Sequence, residues 1–473
     1  MKPIYVVLIV LPVLLFGLCM RAAAQSTQAA NDSLFNQVKH AVNARDGEAL
    51  YALLNDDFKA NMAKEQFTGI LKNNLYPLGA IGETSLISYT SGKSSYKAIC
   101  PGGVLEFRIS GDKNGKVAGL RFLPYKEPVA IKTAAVASNN PMQSPIDSAV
   151  DRAARAYISK ANTVGLSIGV IRNGAAGVYG YGTVAKNSDR IPDADAIFEI
   201  GSVSKTFTAT LLAWYVGEHK AKLNDPITKY LPADVAANKD LQKITLQMLA
   251  NHTSGLPRLP DNLLTAAADM SNPYKHYNRD LLYAALKSCK PASVPGEKYA
   301  YSNLAVGLLG SILEQVSGKS YEQMVTDIIC QPLGMTSTFQ HVSTMQAERQ
   351  VAVHNEKGQQ IPMWDMDALA GAGAIRSTMH DMVLYALANM QQPAGKLQEA
   401  IALTHKATYE QDMGIGLGWH IVKGSSPVYW HNGATGGCSS IVLFDPVKQV
   451  GVVVLSNASE SADAVGQEIL KSL

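Results

Sequence analysis

Residues 202–205 read Ser-Val-Ser-Lys, and this stretch decides how the whole chain is interpreted. Large apolar residues follow it at helical spacing as far as Tyr215, which predicts a helix that starts at or just before Ser202. Positions three apart share one face of a helix, so Lys205 would place its amine beside the Ser202 hydroxyl. A nearby cation favours the alkoxide, and backbone N–H groups at a helix start stabilise developing negative charge. The stretch therefore predicts an activated serine nucleophile.

The S-x-x-K spacing is weak evidence by itself, because two other stretches of the chain match it. Residues 94–97 read Ser-Ser-Tyr-Lys and residues 110–113 read Ser-Gly-Asp-Lys. Both lie in segments whose patterns are typical of strand and turn. Neither is expected at the start of a helix, so the context of residues 202–205 separates this match from the others.

A different serine motif competes for the role of nucleophile. Residues 165–169 read Gly-Leu-Ser-Ile-Gly, which fits the G-x-S-x-G nucleophile elbow of α/β-hydrolases. An elbow requires a strand, a sharp turn and then a helix. Here residues 164–171 have the pattern of one uninterrupted strand, and it runs into a hairpin turn at residues 173–174. We therefore interpret Ser167 as a strand residue and Ser202 as the nucleophile.

A second element that complements Ser202 lies about a hundred residues downstream. Residues 301–303 read Tyr-Ser-Asn, the only Y-x-N of the chain, and they follow a Pro-Gly turn. Tyr301 offers a phenol that becomes a usable base if a cation such as Lys205 lowers its pKa. Asn303 offers an amide that can bind a substrate carbonyl and contact Lys205.

A third element lies near the C-terminus. Residues 430–434 read Trp-His-Asn-Gly-Ala and open a glycine-rich, strand-like region. Gly433 would let a substrate lie close to the strand backbone. His431 has two interpretations: it is a substrate ligand, or it is a strand residue that packs beside Trp430.

The three elements, in this order, resemble the serine β-lactamase and penicillin-binding-protein superfamily, whose class A members carry S-x-x-K, S-D-N and K-T-G. Y-x-N in place of S-D-N is similar to the class C branch. H-x-G in place of K-T-G is similar to the class C-like serine hydrolases often called CubicO-type. The resemblance covers residues 146–473, and it implies an α+β fold in which an antiparallel sheet is flanked by helices and joined to a helical subdomain.

The resemblance also implies a catalytic role for the first two elements. Ser202 would be the acylated nucleophile, Lys205 its activating neighbour and Tyr301 the general acid/base. The backbone N–H groups of Ser202 and Ala434 would form the oxyanion hole, the usual large electrostatic contribution in acyl transfer. The family's reaction implies no metal and no cofactor.

Substrate binding would fall to Asn303, His431 and Gly433. In the family, the Lys of K-T-G helps to bind the carboxylate of a β-lactam or of a D-Ala terminus, and a neutral imidazole at His431 is a poorer anchor. This difference weakens the case for an efficient β-lactamase or carboxypeptidase. It leaves room for an esterase, or for a peptidase acting on D-amino acid amides or cell-wall peptides. The alternative is a penicillin-binding-like receptor for a peptide or β-lactam, with little turnover.

The composition excludes several other classes of protein. Of 473 residues, 47% are apolar and only 17% are charged, which rules out a disordered chain. Lys and Arg number 42 against 39 Asp and Glu, without a basic run, so no nucleic-acid partner is expected. The chain has no H-E-x-x-H and no histidine pair at ligand spacing beside a carboxylate, so no metal site is expected. The expected partner is a small molecule or a short peptide.

The chain divides by pattern into three stretches. Residues 31–124 show helical spacing after the capping candidates Asn31 and Asp32, and then the alternation of strands. This order predicts a small α+β domain, which loosely resembles NTF2-like accessory modules. Residues 125–145 lack an apolar period and are interpreted as a linker. Residues 146–473 would form the hydrolase domain, with its first and last strands paired.

The N-terminus and the cysteines bear on the compartment. Residues 1–24 have a basic start, a short apolar stretch and an Ala-Ala-Ala end, which predicts a secretory signal peptide and a periplasmic or secreted protein. After cleavage no membrane span is expected. The alternative is a lipoprotein signal at Cys19. The residue before it, Leu18, is bulky, whereas lipoprotein signals have a small residue there. The remaining cysteines have no C-x-x-C pair and are interpreted as free thiols rather than as disulfides; they are Cys100, Cys289, Cys330 and Cys438.

Overall fold

The structure is a computed structural model that describes residues 26–127, 129–267, 269–391, 394–411 and 413–473. The predicted signal peptide, residues 1–24, and Cys19 lie outside the described residues. The chain divides into two compact units, one that ends at residue 128 and one that runs from Val129 to Leu473. Within the described part of the chain, none of the helices combines the length and the apolar character needed to cross a membrane.

In the described residues of the first unit, four α-helices precede a four-stranded antiparallel sheet. The strands pair in the order in which they follow one another along the chain. The elements of this unit are α1 (Gln28–Asn43), α2 (Gly47–Leu53), α3 (Asp56–Asn61), α4 (Lys64–Ile70), β1 (Thr84–Thr90), β2 (Lys93–Cys100), β3 (Gly103–Gly111) and β4 (Val117–Pro124).

Helix α1 starts earlier than its sequence predicts. Thr27 caps it by accepting a hydrogen bond from the Ala30 N–H, so Asn31 and Asp32 lie inside the helix. Asn31 is fully buried, and its amide donates to the carbonyl of Gly92 and to the Ser94 hydroxyl. The prediction that Asn31 or Asp32 is the cap was wrong, because a polar residue that is fully satisfied within a buried network is compatible with a helix interior.

The second unit contains twelve helices and twelve strands among its described residues. The helices are α5 (Pro145–Ile158), α6 (Ser204–Gly217), α7 (Ala233–Ala236), α8 (Leu246–Ala250), α9 (Leu263–Ala266), α10 (Arg279–Ser288), α11 (Asn303–Ser317), α12 (Tyr321–Val325), α13 (Gln331–Leu333), α14 (Met379–Met390), α15 (Lys396–Thr404) and α16 (Asp463–Lys471). The strands are β5 (Gly165–Arg172), β6 (Ala175–Gly182), β7 (Ile197–Glu199), β8 (Val353–His354), β9 (Gln360–Ile361), β10 (Arg376–Thr378), β11 (Tyr409–Glu410), β12 (Gly414–Ile415), β13 (His420–Val422), β14 (Val428–Ala434), β15 (Ser439–Asp445) and β16 (Val450–Ser456).

Eight of these strands form one antiparallel sheet, in the order β11-β12-β13-β14-β15-β16-β5-β6. The predicted pairing between the first and last strands of the domain is confirmed, because β16 pairs with β5 along its whole length. Strand β16 is buried at every residue, since helices cover both of its faces. Helices α5 and α16 pack on one face, and α14 packs on the other. The sheet is therefore a rigid frame for its neighbours.

The segment predicted as a linker has ordered contacts near its end. Ile131 forms a β-bridge with Lys160, and Ser138 forms one with Tyr181. Ser144 then caps α5 in a reciprocal capping box with Asp147. From residue 129 onward the segment thus belongs to the second compact unit, although its sequence has no apolar period.

Candidate active site

Ser202 lies in a single 3₁₀ turn, Gly201–Val203, which leads directly into α6. The predicted helix start at or just before Ser202 is thus confirmed. Gly201 has a φ of 49°, in the left-handed region that favours glycine. A Cβ at Gly201 would also lie 2.7 Å from the Ala434 nitrogen. The residue before Ser202 must therefore be glycine if β14 is to lie beside this turn.

The structure brings the Lys205 amine to the Ser202 hydroxyl. Its Nζ lies 2.9 Å from the Ser202 Oγ and 2.6 Å from the carbonyl oxygen of Ala372. Lys205 is fully buried, and among the described residues it forms no ion pair. Burial lowers the pKa of Lys205 well below its usual 10.5, and the charge of Arg258 lowers it further. The expectation that a cation favours the alkoxide needs correction, because burial favours the neutral form of this amine, and a neutral amine can accept a proton.

Tyr301 lies beside both Lys205 and Ser202. The Lys205 Nζ is 4.9 Å from the centroid of the Tyr301 ring. Burial raises the pKa of Tyr301 to about 12, and the smaller opposing influences are a hydrogen bond with Ser202 and the charge of Arg258. The prediction that Lys205 lowers this pKa to make Tyr301 a usable base was therefore wrong, because burial outweighs the influences that lower the pKa. The phenol stays protonated and can donate a proton.

Asn303 is the first residue of α11, and the Ser302 hydroxyl caps that helix by accepting from the Ala305 N–H. The Oδ1 of Asn303 is buried and has no hydrogen-bond partner among the described residues. The predicted contact between Asn303 and Lys205 is not among the hydrogen bonds of the Lys205 amine, which go to Ser202 and Ala372. The Asn303 side chain does form a hydrogen bond with Tyr274, but a buried amide oxygen without a partner is costly, so Oδ1 is available to a ligand.

His431 is buried on β14 and faces the same region. Its Nδ1 donates to the Asn432 carbonyl at 2.6 Å, and its Nε2 has no partner among the described residues. Burial lowers the pKa of His431 well below 6.5. The ring is therefore neutral, and its unpartnered Nε2 carries a lone pair.

The alternative interpretation, in which His431 packs beside Trp430, was wrong. The ring that stacks on Trp430 is that of His420, at 4.3 Å between centroids. Neighbouring residues of a strand point to opposite faces, so His431 points away from Trp430. Its ring lies 6.2 Å from that of Tyr301.

Gly433 and Ala434 bring β14 against the Ser202 turn. A Cβ at Gly433 would lie 2.1 Å from the Ile200 oxygen and 3.0 Å from the Ser202 nitrogen. The reason for a glycine here is therefore the close approach of two protein backbones, where the sequence predicted the approach of a substrate. The same approach brings the two backbone segments that contain the Ser202 and Ala434 N–H groups side by side.

Several residues near the site carried no sequence motif. His252 accepts from the Ser302 N–H at 3.1 Å through Nδ1, and its ring lies 4.3 Å from that of Tyr301. The guanidinium carbon of Arg258 lies 5.1 Å from the same ring. Neither could be found from sequence, because each lies in a loop whose path depends on the whole fold. Trp419 is structural, with a buried ring against Phe444.

The competing serines lie in strands. Ser167 is buried in β5, opposite Leu455 of β16, and its hydroxyl has no partner among the described residues. No helix follows β5, which continues into the β6 hairpin. Ser94 and Ser110 lie in β2 and β3 of the first unit. These positions agree with the interpretation that none of the three is an activated nucleophile.

The cysteines and metal ligands add nothing to this site. All four described cysteines are free, as the sequence predicted, and Cys289 is the one that is partly exposed. In the described part of the chain, no cluster of three or more His, Cys, Asp or Glu side chains could hold a metal ion.

The second unit is similar to proteins of a known family. Residues 150–471 match the Beta-lactamase family. A Beta-lactamase of Pseudomonas fluorescens is 31% identical over 349 residues, which cover 65% of this chain and 92% of that protein. The D-alanyl-D-alanine-carboxypeptidase/endopeptidase AmpH of Escherichia coli (strain K12) is 28% identical over 328 residues, which cover 66% of this chain and 83% of that protein. A solved class C beta-lactamase superposes with a TM-score of 0.63 at 28% identity, covering 71% of this chain and 98% of that one.

The family match spans most of the second unit, and it includes every residue from Ser202 to Ala434 that the geometry brings together. The chain therefore belongs to the β-lactamase family, and it is a serine hydrolase of that family.

Proposed function

We propose that the chain cleaves amide or ester bonds through an acyl-enzyme on Ser202. The observation that carries this proposal is the distance of 2.9 Å between the Ser202 Oγ and the amine of Lys205. That amine is fully buried, and burial lowers its pKa and so favours its neutral form. A neutral amine within hydrogen-bond distance of a hydroxyl is placed to act as its general base.

Acylation would proceed with Lys205 and Tyr301 sharing the proton. Lys205 accepts the Ser202 proton while Oγ adds to the substrate carbonyl. The Tyr301 phenol, protonated because its pKa is about 12, donates to the leaving group as that bond breaks, and the Lys205 ammonium returns a proton to Tyr301. The N–H groups of Ser202 and Ala434 would stabilise the oxyanion. A water molecule, activated by the same two groups, would release the acyl group.

Substrate recognition would use Asn303 and His431. The buried Oδ1 of Asn303 lacks a protein partner, and a substrate N–H would supply one. The Nε2 of His431 would likewise accept a hydrogen bond from a substrate, which a carboxylate cannot donate. The candidate substrates are thus β-lactams, D-amino acid peptides and esters. Neutral esters and amides are favoured at the His431 position.

The competing proposal is a receptor that is acylated and stays acylated. Such a protein would need Ser202 and Lys205 for the first step but no efficient route for water. Lys205 and Tyr301 serve acylation as well as deacylation, so their presence beside Ser202 argues against an inert scaffold, and single-turnover rates compared with steady-state rates separate a receptor from an enzyme.

The first experiment compares p-nitrophenyl esters, nitrocefin and D-amino acid p-nitroanilides under single-turnover and steady-state conditions. Intact-mass spectrometry would follow the acyl adduct, and peptide mapping would locate it. We expect the adduct on Ser202 and repeated turnover on at least one substrate class. An adduct that maps elsewhere contradicts the nucleophile, and a stoichiometric burst without turnover supports the receptor.

We also propose that the protein is exported to the periplasm or secreted, on the strength of the predicted signal peptide in residues 1–24. The first unit, with helices α1 to α4 before a four-stranded sheet, would serve as an accessory domain of NTF2-like type. N-terminal sequencing of the protein recovered from an expressing bacterium tests the export. Mature chains that begin at Gln25 are expected, whereas an uncleaved chain in the cytoplasm would contradict it.

A further inference from the structure

Arg258 is a cation beside the active site that the proposed mechanism does not use. Its side chain is exposed, and its guanidinium carbon lies 5.1 Å from the ring centroid of Tyr301. The Arg258 carbonyl accepts from the N–H groups of Asn303, at 2.9 Å, and Leu304, at 3.2 Å. The backbone of Arg258 is therefore fixed to the first turn of α11, directly beside Asn303.

Arg258 has no acidic partner within ion-pair distance among the described residues. The arginines that do form such pairs are Arg108, Arg152, Arg155, Arg279, Arg349 and Arg376. A guanidinium presents a planar fork of donors that matches a carboxylate in two parallel hydrogen bonds. An exposed, unpaired arginine at the edge of a catalytic site is therefore suited to a ligand that carries an acid.

Two other basic residues of the site, His431 and Lys205, offer no equivalent charge. His431 is neutral, because its Nδ1 donates to Asn432 and its burial disfavours a second proton. Lys205 is buried, and its amine is hydrogen-bonded to the Ser202 hydroxyl. Arg258 is the positive charge that acts on both Lys205 and Tyr301, in each case as a smaller influence than burial on the pKa. A substrate carboxylate is thus expected on the Arg258 side and not on the His431 side.

We propose that Arg258 binds a carboxylate carried by the acyl portion of the substrate, so that the enzyme prefers acyl groups that end in an acid. We specify the acyl portion because Asn303 is the proposed ligand of the substrate amide. The backbone N–H of Asn303 donates to the carbonyl of Arg258, so the two residues are neighbours. This inference rests on the proposed acyl-enzyme. It names a substrate class for an enzyme that has His431 in place of the lysine of K-T-G.

The test uses two esters that differ only in charge: mono-p-nitrophenyl adipate and its methyl ester. For the unmodified protein we expect kcat/KM to be about 10-fold or more higher for the acid, as for a charge-assisted hydrogen bond formed in the transition state. Arg258→Gln should bring the ratio of the two close to one, and Arg258→Lys should retain part of it. Added salt should also reduce the ratio, because the guanidinium is exposed.

The matched control is Arg172→Gln, which removes an exposed arginine from the far end of β5. Arg172 lies about 17 Å along the strand from Ser167 at ~3.3 Å per residue. We expect this variant to keep the preference for the acid. The ratio is the measured quantity because Arg258 also influences Lys205 and Tyr301, so its loss changes the rate on both esters.

The proposal is overturned if the unmodified protein shows no preference, or if Arg258→Gln keeps it. In either case the acyl-enzyme still stands if p-nitrophenol release is lost in Ser202→Ala. If Ser202→Ala releases p-nitrophenol at the unmodified rate, the proposed function fails, and this inference fails with it. A third probe, the hexanoyl ester of 4-hydroxybenzoate, carries its carboxylate on the leaving group. A larger effect of Arg258→Gln on that probe than on the adipate would overturn the assignment to the acyl portion.

Discussion

Ser202 and Ser167 have similar sequence surroundings and opposite physical surroundings. Each has a glycine nearby and each belongs to a motif known from serine hydrolases. Ser202 lies at the start of a helix with an amine 2.9 Å away. Ser167 lies in the middle of β5, fully buried, with no partner for its hydroxyl among the described residues. Two serine motifs of comparable appearance thus differ in the one property that makes a nucleophile, a base within reach.

The glycines beside the two serines show the same contrast. A Cβ at Gly165 would lie 2.2 Å from the Thr183 oxygen, so this glycine permits two strands to pack. Gly201 permits a left-handed turn that places the Ser202 nitrogen beside β14. In the first case the small residue serves the core, and in the second it shapes the surface on which a substrate would lie. A motif has chemical meaning only where its backbone is in the required conformation.

The sharpest test of this contrast replaces each serine by alanine. Ser202→Ala should lower kcat on every substrate by about 10⁶-fold, as the loss of a nucleophile does in other serine hydrolases. Ser167→Ala should leave kcat unchanged and should not destabilise the fold by more than about 1 kcal/mol, because its hydroxyl is buried without a partner. Steady-state rates and thermal unfolding measure both. Loss of activity in a folded Ser167→Ala protein would transfer the nucleophile to β5.

The second test concerns the base. Lys205 is neutral only above its lowered folded-state pKa, so kcat/KM should fall as the pH drops through that value, by about tenfold per pH unit. No matching fall is expected on the alkaline side below pH 11, because Tyr301 titrates near 12. Lys205→Arg, whose guanidinium stays protonated, should lose about 10²- to 10⁴-fold in rate. A pH profile without any acid limb over the range in which the unmodified protein stays folded, or an unchanged Lys205→Arg, would exclude Lys205 as the base.

The order of the three motifs in the sequence was enough to predict the fold. The spacing of apolar residues also predicted a helix at Ser202 and a strand at Ser167, because that spacing reflects which faces of an element are buried. The protonation states could not be predicted from the sequence. Whether Lys205 is a cation or a neutral amine depends on how completely α6 is buried, and whether His431 has a free lone pair depends on a bond to its own neighbour's carbonyl. The position of Arg258 beside Tyr301 could not be predicted for the same reason, since it is a property of the folded chain.

A third test asks whether the neutral imidazole limits the substrates. His431→Lys places an ammonium where K-T-G enzymes have one, so it should raise the ratio of cephalosporin to neutral-ester hydrolysis by about 10- to 150-fold. Asn432→Lys is the matched control, because it adds the same charge one residue further on the opposite face of β14, beside Asp463. We expect no change of ratio there. Equal losses on both substrates in His431→Lys would mean that this residue does not face a substrate carboxylate.

The smallest effect is expected from removing the first unit, which carries the accidental S-x-x-K matches at Ser94 and Ser110. The two units have separate cores: the buried clusters of the second unit draw their described residues from Val136 onward. A chain that starts at Val129 keeps the bridge from Ile131 to Lys160, so it should fold and acylate at Ser202, with kcat on a small ester within about threefold of the full chain. A truncated chain that folds, judged by its thermal transition, but loses orders of magnitude in rate would show that the first unit contributes to the chemistry. That result would contradict the comparison between Ser202 and Ser167. The first unit would then contribute to the acyl transfer, which we assign to the residues around Ser202 alone.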